Sequence, residues 1–122
     1  MQVTSTRGLV VVRVDATPES DAAIGQGFDA AHRLGAELIL LHIPPSADSR
    51  HWDTLADAPW YAAARQLVTN ALNGWPDKYP DVVYRTHYRQ GNPAEVLAGY
   101  TKVADRVFTG DGAVDTMGTK DR

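Results

Sequence analysis

Arg13, Asp15, Thr17 and His42 are the residues of this chain whose types and positions could do chemistry. Asp15 follows the apolar run Leu9-Val10-Val11-Val12-Arg13-Val14. A carboxylate there has two uses open to it: hydrogen bonding to a ribose or a base, or accepting N–H bonds at the head of a following helix. His42 stands near the end of a second apolar run, Glu37 to Ile43. An imidazole there could act as a base, or join Asp15 in holding a metal. One histidine and one aspartate leave a metal site incomplete, so a structural role is the preferred reading. Arg13 interrupts its run, and a buried charge is costly unless paired. Its side chain either reaches solvent or a carboxylate, or passes over the strand end to meet a phosphate. Trp52 could stack on a planar ligand or pack locally. His32, His51 and His87 show no metal-ligand spacing and read as surface residues. Gly110, Gly112 and Gly118-Thr119 form either a shortened phosphate nest or a flexible end. No nucleophile, base and orienting third group assemble from these residues, so the chain reads as non-catalytic.

The elements that must position these residues are legible from periodicity and punctuation. Leu9 to Val14 is the kind of β-branched run that fills a strand buried on both faces of a parallel sheet. Thr17-Pro18-Glu19-Ser20-Asp21 supplies an N-cap hydroxyl, a proline at the first helical position and acids in the first turn. Ala23, Ile24, Gly27, Phe28, Ala31 and Leu34 then recur on one helical face, and Gly35 suits a left-handed C-cap. Glu37 to Ile43 is the second strand, ended by Pro44-Pro45. Pro45 to Ala58 is a polar excursion. Pro59 opens a second helix that closes near Gly74, before a break at Trp75-Pro76. Val82 to Tyr88 alternates apolar and polar residues, which places it at a sheet edge. Gly91-Asn92-Pro93-Ala94-Glu95 repeats the helix-start grammar, with Val96, Leu97, Tyr100 and Val103 as the buried side. Ala104 to Gly110 is a fourth strand, and nothing after Asp111 has a hydrophobic period.

Composition narrows the classes further. The chain has 122 residues, enough for one domain. Its formal net charge of −3 and lack of a basic run argue against a nucleic-acid surface. There is no cysteine, which excludes thiol catalysis and disulfides and fits a cytoplasmic setting. The apolar run after Gly8 is too short for a signal sequence or a membrane span, so no membrane partner is expected.

Strands alternating with helices predict an α/β fold with an open, doubly wound parallel sheet, which binds ligands at the carboxyl ends of its strands. Those ends are Val14-Asp15-Ala16-Thr17, His42-Ile43-Pro44, Gln90-Gly91-Asn92 and Thr109-Gly110-Asp111-Gly112. The segments Val14-Asp15 with Thr17-Pro18-Glu19-Ser20, Leu34 to Ile43, Tyr79 to Val82, Gly91 to Leu97 and Ala104-Asp105 resemble, in order and spacing, the universal stress protein family. The resemblance implies an adenine nucleotide alpha-hydrolase-like, Rossmann-like fold, frequent dimerisation through a final strand and, in one subclass, binding of ATP or AMP. It implies an adenosine held at Asp15 and Ile43, with Val14, Thr17 and Gly91 at the same strand tips. The family's phosphate segment is Gly-x-x-Gly, nine residues, then Gly-Ser or Gly-Thr. Gly110 matches its first glycine, Ala113 stands at the second, and Gly112 and Gly118-Thr119 imitate the rest only at shortened spacing. The final family strand and helix are expected to be missing, giving a domain over residues 1–112 and a tail over 113–122. The expected function is a non-catalytic stress-response domain with weak or degenerate ATP or AMP binding. The alternative is a nucleotide-free module acting through homo-oligomer or partner assembly, recruited by an unpaired edge of the fourth strand.

Overall fold

The computed structural model describes residues 8–15, 17–44, 60–109 and 112–115. The elements are β1 (Leu9–Arg13), α1 (Pro18–Leu34), β2 (Glu37–His42), α2 (Tyr61–Leu72), α3 (Trp75–Lys78), β3 (Tyr84–Tyr88), α4 (Pro93–Thr101), β4 (Arg106–Thr109) and β5 (Gly112–Asp115). The sheet order is β3-β2-β1-β4-β5. The first four strands pair in parallel, with Val11 opposite Ile39 on β2 and Val107 on β4. The predicted parallel α/β architecture is therefore present, with β3 at an edge as its alternating sequence implied.

Strand β1 is central, and its alternation divides the core in two. Val10, Val12 and Val14 face a front cluster built on Ile24, Phe28, Leu38 and Leu40, against which α2 and α3 also pack. Val11 faces a smaller back cluster with Ile39, Leu41, Ile43 and Val107, against which Val96, Leu97 and Tyr100 of α4 rest. Helix α1 starts as its sequence requires: the Thr17 side chain accepts from Ser20 N, and Pro18 opens the helix. It ends at Gly35, where φ of 65° is left-handed and the amide closes on the last carbonyls. At Gly27 helix and strand meet so closely that an added Cβ would lie 2.0 Å from Val12 Cγ2.

Four expectations are corrected. Residues 112–115 form a strand that runs antiparallel to β4, pairing Phe108 with Ala113 and Thr109 with Gly112. Only Gly110 and Asp111 separate the two strands, a spacing that joins a hairpin and is far too short for a crossover helix. The free edge therefore passes from β4 to β5. Leu34 is 50% exposed and Val103 67% exposed, because each lies at or beyond the end of its helix, where the apolar stripe no longer faces the sheet. The second helix begins at Tyr61, two residues after Pro59. Trp75-Pro76 starts the short helix α3 where a break was expected, with Asn73 and Gly74 in the left-handed region just before it.

Candidate functional site

The β1 tip is built by a relay of local hydrogen bonds. The Asp15 amide donates to Ser20 Oγ at 2.9 Å, and Asp15 Oδ1 accepts from both the amide and the hydroxyl of Thr17, at 3.0 and 2.6 Å. Thr17 Oγ1 in turn accepts from Ser20 N at 3.1 Å. Ser20 is fully buried, and its hydroxyl clamps the strand end to the first turn of α1. One carboxylate oxygen thus does the helix-head work that was one of the two readings of Asp15. Oδ2 has no hydrogen-bond partner among the described residues.

Val14 is buried, and both its backbone groups are committed: the amide donates to Leu41 O at 2.8 Å, and the carbonyl accepts from His42 Nδ1 at 2.8 Å. This explains His42. Its ring is 4% exposed, donates to the neighbouring strand and sits edge-on to Tyr88 with centroids 6.3 Å apart, which is the structural role preferred from the sequence. Ile43 is buried at the tip of β2, with no described residue bonded to its amide or carbonyl. Continued past the Arg13–Leu41 pair, the parallel register sets Asp15 level with Ile43 on the adjacent strand tip, and Thr17 caps α1 just after it.

Gly91 begins the turn into α4 with φ of 134°, a conformation that favours glycine, while Asn92 Oδ1 caps the helix by accepting from Ala94 N and Glu95 N. Gly112 lies in the β5 ladder opposite Thr109. Gly110, Gly118 and Thr119 lie outside the described residues, as do His51 and Trp52.

A groove of about 350 Å³ adjoins the β1 tip between α1 and α2, lined by Asp15, Thr17, Asp21, Leu67 and Asn70 among others. Among the described residues its lining holds two carboxylates and no cation. Such a wall suits hydroxyl and amine donors and repels phosphate. Near the tip of β2, Trp60, Tyr61 and Tyr88 form an aromatic cluster, Tyr61 and Tyr88 meeting edge-on at 5.2 Å. Burial, first, and the neighbouring Tyr61 raise the pKa of Tyr88, keeping its phenol neutral. Asp21, Asn70, Ser20 and this aromatic cluster were not singled out from the sequence. Ser20 at a helix start was the one recognisable signal, whereas the others depend on how α2 is laid against the sheet.

A second polar cluster lies on the back, where His87 Nδ1 is 2.7 Å from Tyr100 Oη and 3.4 Å from Arg89 Nη2. Burial, then the Arg89 and Arg85 charges, lower the pKa of His87. It borders a groove of about 430 Å³ beside α4, away from the β1 tip. Among the described residues no group of three or more His, Asp or Glu could hold a metal. No described helix is long and apolar enough to cross a membrane.

Comparison with known proteins agrees with this geometry. The sequence model of the universal stress protein family matches residues 7–105. A universal stress protein of Mycolicibacterium smegmatis is 30% identical over 109 residues, covering 83% of this chain and 34% of that protein. The chain thus spans about a third of the length of the curated relatives it matches. Among solved structures, a universal stress protein from Lactobacillus plantarum superposes with a TM-score of 0.65 at 19% identity, covering 96% of this chain and 85% of that one. One from Archaeoglobus fulgidus, solved in complex with dAMP, gives 0.61 at 15% identity, covering 84% and 79%. With the parallel sheet, the capped strand tips and the sequence match over residues 7–105 in agreement, the chain belongs to the universal stress protein family.

Proposed function

We propose that this chain is a non-catalytic stress-response domain of the cytoplasm that holds an adenine nucleotide, AMP or ATP, weakly at the tips of β1 and β2, chiefly through the adenosine. The observation that carries the reading is the state of the two tips. Asp15 keeps one carboxylate oxygen locked by Thr17 and the other unengaged by any described residue, beside an Ile43 backbone that is equally unengaged. A fixed acceptor next to an amide and a carbonyl that bond to no described residue is what a ribose hydroxyl and an adenine amine require. The dAMP complex of the Archaeoglobus fulgidus protein supports the ligand class. The direct β4–β5 hairpin supports the weakness, because a segment of Gly-x-x-Gly, nine residues and Gly-Ser has no place between those strands. Calorimetric titration with adenosine, AMP and ATP tests the reading. Binding of adenosine and AMP, with ATP no tighter than AMP, is expected; ATP binding a hundredfold tighter than AMP contradicts the loss of the phosphate loop.

A second reading rests on β5. This strand is a sheet edge, and a second copy could pair with it to give a homodimer without nucleotide. Light scattering after size exclusion decides it, and a monomer throughout the micromolar range rules it out.

A further inference from the structure

We propose that Arg13 is the phosphate-binding residue of this site and that it reads a single phosphate from the back of the sheet. The inference rests on the nucleotide reading above and adds to it the group that meets the anion. Arg13 closes β1 opposite Leu41, one step beyond the Val12–Phe108 pair, which puts it alongside Thr109 at the end of β4. By alternation its side chain shares the back face with Val11, where the flanking residues Leu41 and Val107 are apolar and buried. Its Nε is buried and has no hydrogen-bond partner among the described residues. No carboxylate among the described residues forms an ion pair with it. A guanidinium held this way at the mouth of a central strand carries a desolvated donor and a charge that no described carboxylate balances, an arrangement that an arriving anion relieves.

The charges around the tip set the direction. On the front, Asp15 and Asp21 line the groove with no cation among the described residues, so their charges repel phosphate there while the adenosine donors are accepted. On the back, Arg13 carries a planar guanidinium whose N–H donors match two oxygens of one phosphate. A nucleotide lying across the β1 tip would therefore keep its sugar by Asp15 and turn its 5′-phosphate toward β4. One arginine satisfies one phosphate, so the ligand class is a nucleoside 5′-monophosphate, and a second and third phosphate gain nothing further.

The test follows the Arg13 Nε–H resonance in ¹⁵N-labelled protein during titrations with adenosine, AMP and pyrophosphate, together with affinities for the wild type and Arg13→Met. The proposal expects AMP and pyrophosphate to move this resonance and adenosine to leave it nearly still. It also expects AMP to bind about tenfold tighter than adenosine in the wild type, a preference that Arg13→Met abolishes while adenosine affinity is kept. If adenosine and AMP bind equally well and the resonance does not move, Arg13 is a solvent-directed strand residue and the proposal is wrong although the nucleotide reading stands. If adenosine fails to bind but pyrophosphate moves the resonance, the nucleotide reading fails and the anion site remains. Should Arg13→Met fail to fold, the wild-type resonance and the AMP-to-adenosine ratio decide alone.

Discussion

Replacing Gly27 by alanine tests whether the β1 tip is held by intimate packing of α1 on β1. The new methyl would lie 2.0 Å from Val12 Cγ2 and 3.4 Å from Leu38 Cδ1, against an ordinary carbon contact of roughly 3.5–4.0 Å. Val12 cannot yield. It is fully buried on the central strand, paired with Leu40 and Phe108 on either side, and stiff at χ1 because it is β-branched. The helix must lift instead, at a cost of about 1–3 kcal/mol, while alanine returns about 1 kcal/mol of helix propensity. With neither partner able to move freely the upper end applies, and Gly27→Ala should destabilise by ~1–2 kcal/mol. Urea denaturation followed by far-UV circular dichroism measures this, with Gly99→Ala as control. No atom lies within 4 Å of a Cβ at Gly99, so alanine there should stabilise by up to about 1 kcal/mol. Adding Val12→Ala to Gly27→Ala should show a favourable coupling of ~1 kcal/mol or more, because the clash disappears. If Gly27→Ala stabilises as the control does, the close approach of α1 to β1 is refuted.

Two further outcomes follow from individual bonds. Asn92→Ala removes one oxygen that caps two amides of α4 and should cost about 1 kcal/mol in the same denaturation assay, whereas an unchanged midpoint would show that the cap contributes nothing. The hydrogen bond from His32 holds the Asp81 carboxyl below its usual 3.8, and a folded pKa below the unfolded one gives stability that is present above that value and lost as pH falls through the folded value. His32→Ala should return the carboxyl shift titration of Asp81 to the ordinary aspartate range. A titration curve that does not move would disprove the bond.

What the sequence disclosed and what it hid divide along physical lines. The ends of α1 were legible because Thr17, Pro18 and Gly35 act within one turn of themselves, and β1 and β2 because strands buried on both faces leave continuous apolar runs. Strand β5 was not, since a short edge strand needs no hydrophobic run to join a ladder. Leu34 and Val103 fit the helical period, but period alone does not tell where a helix leaves the sheet. At the site, Asp15 was found from its place at a strand end. Its division into a structural oxygen and an unengaged one depends on Thr17 folding back upon it. The bond from His42 to Val14 joins residues on neighbouring strands, and the meeting of Trp60 with Tyr88 is set by the path between two elements, so neither pairing leaves a mark in local sequence.

The central claim is that the tips of β1 and β2 receive the adenosine of a nucleotide. Backbone ¹H–¹⁵N spectra recorded during an AMP titration address it most directly. Saturable shifts concentrated at Val14, Asp15, Thr17 and Ile43, weakened by Asp15→Asn, are expected. Shifts confined to Val96, Gly99 and Val103 in the groove beside α4, or no saturable shift at millimolar AMP, would contradict it.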